Sequence, residues 1–168
     1  MRRLGRCVDP SCVAIRCATL FEMSDRPAPA HRVRETTSFR LPAETLERLD
    51  ARAQAAGTTR TALAEQFLEE GLRLVEHPGI RFVDGPSGRR AGVTGTGLDV
   101  WEVVETIRAH NGSVEETAEY LSVPVARVRV AARYYAAFPA EIDEWIAGNQ
   151  AVCDREFELA RRERELLG

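Results

Sequence analysis

The sequence predicts a mainly α chain whose first folded part needs a second copy of itself. Three observations lead there. Residues 36–41 alternate polar and apolar side chains and stop at Pro42, the pattern of one short strand. Two helical patterns follow at once, parted by Gly57. The remainder reads as a β-hairpin, a helix-turn-helix pattern and a helical C-terminal tail, with turn residues between the periodic segments.

Alternation places Thr37, Phe39 and Leu41 on one face of the strand and Thr36, Ser38 and Arg40 on the other. The first helix starts after Pro42, carries Leu46, Leu49 and Ala53 at helical spacing, and ends at Gly57, a residue type suited to the left-handed cap. The second opens at Thr58-Thr59-Arg60-Thr61, with Thr59 as the expected N-cap, and carries Leu63, Phe67, Leu68, Gly71, Leu72 and Val75. One strand and two helices cannot bury a core alone, and a lone strand leaves its edges unpaired. A homodimer that pairs the two strands antiparallel over four helices solves both problems. Its exposed ribbon would present Thr36, Ser38 and Arg40 from each copy, and a two-stranded ribbon fits the major groove of DNA. The amides that open the second helix offer free donors and a partial positive charge to a phosphate.

The strand Thr36–Leu41, its closing Leu41-Pro42 and the turn Gly57-Thr58-Thr59-Arg60-Thr61 resemble the ribbon-helix-helix family, of the Arc, MetJ and CopG type. The resemblance implies that Thr36, Ser38 and Arg40 read bases and that the amides near Thr59, Arg60 and Thr61 hold a phosphate.

Composition sets limits on this reading. The chain has 168 residues, 29% of them charged and 44% apolar, and no apolar run approaches membrane-spanning length. The net charge of −3 argues against a general polyanion binder, and all 23 basic residues are Arg. With its many alanines, that bias points to a GC-rich bacterial coding sequence rather than to a function. Charge shifts along the chain: 1–34 is net +4, 35–76 is −3, 77–123 is −3, 124–138 is +3 and 139–168 is −4. Affinity for DNA without regard to sequence comes from phosphate neutralisation. A ribbon with one Arg per strand is therefore expected to bind modestly unless dimers associate side by side.

Residues 1–34 are expected to be a disordered extension, with scattered Arg2, Arg3, Arg6 and Arg16 and a closing Pro27-Ala28-Pro29. Met23 is an alternative start, which would make residues 1–22 an extension of the true chain. Cys7, Cys12 and Cys17 lie five apart, wider than paired zinc ligands, and His31 does not complete a set. No metal or cofactor is expected. The four Cys, Cys153 among them, are expected to be reduced thiols of a cytoplasmic protein.

The next domain is expected over 77–145. His77-Pro78-Gly79-Ile80 breaks the second helix, and residues 81–93 read as a hairpin around Asp84-Gly85-Pro86-Ser87-Gly88. Thr94-Gly95-Thr96-Gly97 lacks the Lys and the longer glycine pattern of a phosphate loop. Asp99 caps a helix with Val100, Val103, Val104 and Ile107 inward and Trp101 beside them, stopping at Asn111-Gly112. Ser113 and Glu116 form a capping box for a helix with Val114, Ala118 and Leu121. Pro124 suits the first position of a helix to about Phe138, with Val125, Val128, Ala132 and Tyr135 as its inner stripe. Ala118, Leu121, Val123 and Val128 sit where a helix-turn-helix packs its two helices. That puts Arg127, Arg129 and Arg133 on a candidate recognition helix. A protein-binding or merely solvated face is the other reading of these arginines.

Residues 77–145 also resemble the domain-of-unknown-function 433 family. The resemblance rests on His77-Pro78-Gly79-Ile80, on Val93-Thr94-Gly95-Thr96-Gly97-Leu98-Asp99-Val100 and on the helix-turn-helix pattern. Gly97 stands where that family usually has Arg, so the arginine's role is absent or has moved, with Arg89 and Arg90 as candidates. Both resemblances imply an antitoxin of a type II toxin–antitoxin pair. It would bind a co-encoded toxin, in such pairs commonly a PIN-like ribonuclease, and repress its own operon.

The tail, 146–168, has a logic of its own. A helix starts at Pro139-Ala140-Glu141 with Trp145 and Ile146 as apolar anchors, and Gly148-Asn149 is expected to interrupt it. Beyond lie Val152, Phe157, Leu159, Leu166 and Leu167 among many charges, a helix of marginal stability alone. It either packs on its own domain or docks on the toxin through Trp145, Ile146 and Phe157. In the second case Arg155, Arg161, Arg162 or Arg164 would pair with carboxylates of the toxin. Catalysis is not expected: His31, His77 and His110 have no nucleophile or partner in a recognisable context. The other functions open to the sequence are a stand-alone transcriptional regulator and a pure interaction module.

Overall fold

The computed structural model describes residues 37–85 and 87–168. The expectations for residues 1–36, Thr36 among them, lie outside the described residues, as does Pro86 of the hairpin turn. The described chain is mainly helical with one small antiparallel sheet, and it divides into two compact units, 37–76 and 77–168.

The N-terminal unit is a helical hairpin of α1 (Ala43–Ala55) and α2 (Arg60–Glu76). Helix α1 ends in a Schellman arrangement: Thr58 N donates to Ala53 O at 3.0 Å and Gly57 N to Gln54 O at 3.2 Å. Gly57 sits at φ +63°, a region that costs a side-chain-bearing residue strain. Thr59 caps α2 as expected, its Oγ1 accepting from Ala62 N at 3.2 Å. Only Ala53 and Leu63 are buried in this unit. Residues 37–42 belong to no strand within the single chain and are exposed throughout. The strand expected at 36–41 therefore has no ladder partner here, because nothing else in the described unit is extended.

The C-terminal unit begins with a hairpin, β1 (Ile80–Gly85) and β2 (Gly88–Val93), in the register Ile80↔Val93 through Gly85↔Gly88. Its inner face gives Ile80, Ala91 and Val93 to the core. Gly79, at φ +100°, has Val130 Cγ2 only 3.1 Å from where a Cβ would sit, so both conformation and space require glycine there. Four helices follow it: α3 (Val100–Ala109), α4 (Val114–Tyr120), α5 (Val125–Ala137) and α6 (Pro139–Leu167), of which α3 and α5 pack on the hairpin. The core joins Val100, Val103 and Val104 of α3, Ala118 of α4, Val128, Ala131 and Tyr134 of α5, and Ile142 of α6. Thr106 and Thr117 are buried among them, and each hydroxyl is satisfied by donating to the carbonyl four residues back, at 2.8 and 2.7 Å.

Several expectations are corrected. The stripe of α5 is centred on Val128, Ala131 and Tyr134, while Val125, Ala132 and Tyr135 lie at its margin. One residue is about 100° of rotation, and Tyr134, completely buried, takes the inward place that Tyr135 was given. Pro124 is the N-cap residue of α5 rather than its first helical position. The capping box of α4 is half made: Ser113 Oγ accepts from Glu116 N at 3.2 Å, but Ser113 N donates to His110 O. Finally, α6 runs unbroken for 29 residues through Gly148 and Asn149. A single glycine of helical φ weakens a helix by about 1 kcal/mol and does not end it.

Candidate functional site

Three surfaces gather the candidate residues. On the first, Ser38 and Arg40 are exposed, as are Phe39 (68%) and Leu41 (45%) beside them. At the start of α2, Thr59 uses only the amide of Ala62, and the amides of Arg60 and Thr61 have no partner among the described residues. The Arg60 side chain is engaged, its Nε donating to Asp50 Oδ1 at 2.5 Å across the α1–α2 turn. Thr61 is exposed in the first turn. This helix start has the donors and dipole for an anion, while the Arg60 charge is offset by Asp50.

The second surface is α5, where Arg129 and Arg133, one turn apart, share the exposed face and Arg127 lies apart from them. Arg127 is half-buried at the open end of the hairpin, with Nη1 3.7 Å from where a Cβ would sit on Gly79 and Nη2 3.7 Å from where one would sit on Gly95. Arg129 and Arg133 face solvent, and Arg129 sits 3.7 Å from the equally exposed Glu115 of α4. The turn into α5 is tight: Ser122 takes φ +54° and Val123 N donates to Ala118 O at 3.0 Å.

The third surface is α6. Ile146 packs against the core and Trp145 is half-buried, so the expected anchors begin inside their own unit. Phe157 is 61% exposed. Arg161 is taken up on its own helix by Glu158 and Glu165 (2.7 and 2.6 Å), and Arg162 by Glu158 (2.9 Å). These two arginines hold the Glu158 carboxyl down at about 2. Arg155 is exposed and has no ion pair among the described residues.

Two further arginines, Arg90 and Arg108, tie elements of the C-terminal unit together. The Arg90 guanidinium of β2 donates through Nε to the Asp99 carboxylate, which caps α3, and Glu102 returns a bond by accepting from Asp99 N at 2.7 Å. The Arg90 side chain thus reaches the start of α3 from the neighbouring strand. Arg108 of α3 donates through Nη2 to Asp143 Oδ1 of α6 and to Tyr135 Oη of α5, both at 2.6 Å, and the Asp143 bond above all raises its pKa above the usual arginine value. It clamps three helices at one end of the unit.

His77 and His110 serve packing. His77 stands edge-on to Tyr134, with ring centroids 5.3 Å apart, and close to Phe138. His110 Nδ1 lies 2.9 Å from Thr106 O, beside Tyr120, in a shallow hollow of about 330 Å³ that Glu116 and Glu119 also line. Among the described residues no group of three His, Cys, Asp or Glu is placed to hold a metal ion, and no helix is long and apolar enough to cross a membrane. Set against known proteins, the chain matches no family model, no curated protein and no solved structure.

Proposed function

We propose that this chain is a DNA-binding antitoxin of a type II pair. Two copies would join through residues 36–41 and read operator DNA with Thr36, Ser38 and Arg40. The unit 77–168 would bind and neutralise a co-encoded toxin, a PIN-like ribonuclease by the family resemblance. The supporting observation is the mismatch between apolar content and burial in the N-terminal unit. Phe39, Leu41, Phe67, Leu68, Leu72 and Val75 are all exposed, against only two buried residues. Val75, at 82%, is more open to water than any core residue would be in a finished domain. Apolar surface of that extent marks an interface, and a helical hairpin so short gains its core by oligomerising. A second copy that covers this face leaves Ser38 and Arg40 on the outside, where a base edge can meet them.

The test has two arms. Operator affinity is measured for the wild type and for Arg40→Ala on DNA from the chain's own promoter region. Loss of a bidentate Arg–guanine contact should cost about 1–3 kcal/mol, and unchanged affinity removes the ribbon as reader. Co-expression with the adjacent reading frame then decides the antitoxin half: a toxic product that co-purifies with this chain supports it, and a harmless product that does not bind sinks it.

A further inference from the structure

The exposed half of α6 has two unlike faces. Residues three and four apart are neighbours on a helix. On one face the charges satisfy each other: Glu158 with Arg161 and Arg162, Arg161 with Glu165, and Asp154 with Gln150. On the other, apolar side chains recur at seven-residue spacing in two columns, Val152–Leu159–Leu166 and Cys153–Ala160–Leu167. This stripe continues the half-buried Trp145 and Ile146 outward, and its exposure grows along the helix to 85% at Leu166. Glu156 and Glu163 run between the columns. The four helical neighbours of Glu156 are Val152, Cys153, Leu159 and Ala160, and those of Glu163 are Leu159, Ala160, Leu166 and Leu167. Neither carboxylate has an ion pair or side-chain hydrogen bond among the described residues, although the helix carries four arginines.

We propose that this face docks an amphipathic helix of a partner protein that carries two basic residues, seven apart, within its own apolar stripe. Covering the apolar columns strips water from Glu156 and Glu163, and a desolvated carboxylate without a cation opposes binding. The occupant must therefore bring the cations. A second copy of α6 does not fit: its matching face has acids in the centre and no arginine there. Set parallel, it would place Glu156 on Glu156 and Glu163 on Glu163, and set antiparallel it would bury both against apolar residues. The spacing of the two acids gives register to the docked helix, and its charge excludes acidic competitors. The proposal rests on the tail-docking part of the antitoxin reading and specifies the chemistry of the toxin's docking element.

The probe is a synthetic peptide copying residues 139–168 with Glu156→Lys and Glu163→Lys, which offers the same apolar stripe with cations at its centre. The control peptide keeps both glutamates. Binding to the full chain is followed by fluorescence anisotropy, and the site is located by hydrogen exchange of amides 150–167. The lysine peptide should bind at least about tenfold more tightly than the control and slow exchange in 150–167. In the full chain with Glu156→Gln and Glu163→Gln that preference should vanish. Equal binding of the two peptides, no binding of either, or tighter binding of the control would each overturn the proposal, the last in favour of a second copy. If the lysine peptide binds but no adjacent toxin co-purifies, the antitoxin reading falls and the docking chemistry stands. If the toxin co-purifies but the lysine peptide does not bind, the toxin docks elsewhere.

Discussion

Arg90 and Asp99 form a largely buried ion pair that fastens the second hairpin strand to the start of α3, their side chains 23% and 9% exposed. The two partners are not equally dependent on each other. Asp99 also sits at a helix N-terminus, whose dipole favours a carboxylate, whereas Arg90 Nη1 is buried with no acceptor. Asp99→Asn, which keeps a capping oxygen, should cost about 2–3 kcal/mol, below the roughly 3–5 kcal/mol of a fully buried pair broken on one side. Arg90→Met keeps the aliphatic stem and should cost less. Urea unfolding of the two variants measures both, and the reverse order would mean that the pair is not what ties strand to helix.

The N-terminal unit should be stable only as an assembly. Phe39→Asp puts a charge on the apolar side of residues 37–41, where a second copy would cover it. The variant should lose helicity in 43–76 at concentrations where the wild type keeps it, and lose operator binding with it. Circular dichroism over a dilution series, alongside sedimentation, checks this. A folded, soluble Phe39→Asp monomer would contradict the dimer.

What the sequence made legible was local. Gly57, Thr59 and Ser113 each fix a backbone conformation through their own chemistry, and the helix boundaries fall accordingly; the hairpin strands, by contrast, run on to Gly85 and Gly88, into the turn expected over Asp84–Gly88. Less legible was anything that depends on a neighbour. Val125, Val128, Ala132 and Tyr135 fit helical spacing as well as Val128, Ala131 and Tyr134 do, and only the packing of α5 against α3 and the hairpin chooses between them. Gly148-Asn149 reads as a stop because neither residue favours a helix, yet Ile142 and Ile146 anchor α6 before it and ion pairs support it after it. In residues 37–41 alternation separates nothing, since Ser38 and Arg40 are exposed together with Phe39 and Leu41; the shared exposed face of Arg129 and Arg133 followed from helical spacing. The engagement of Arg60 by Asp50 and of Arg161 by Glu158 did not, since arginines offer many partners at similar spacing.

That continuity has a direct test. Gly148 has nothing within 4 Å of where a Cβ would sit, and its φ is not positive. Gly148→Ala should therefore stabilise α6 by up to about 1 kcal/mol through propensity alone. It should raise the thermal midpoint and slow hydrogen exchange in 139–160. Destabilisation would mean that the chain bends at Gly148 in solution.

Acid should act on the two ends of the C-terminal unit in opposite senses. Arg161 first, then Arg162, holds the Glu158 carboxyl down at about 2. A depressed acid stabilises the fold above its unfolded value, and that contribution is lost as pH falls toward 2. Helicity of 150–167, and the protection of its amides relative to their intrinsic exchange, should therefore fall through this range, and Glu158→Gln should remove that change while leaving the segment less helical at neutral pH. Glu105 of α3 is shifted the other way, raised by burial against a smaller opposing pull from Arg108. Its contribution is present below the usual carboxylate range and is lost as pH rises through its raised value. Glu105→Gln should consequently stabilise the unit at neutral pH, by no more than about 0.5 kcal/mol for a group still half open to water, and that gain should vanish in acid. Unfolding midpoints of the two variants at neutral and acid pH separate the effects. A neutral-pH loss in Glu105→Gln would show that its carboxylate is instead held by a partner.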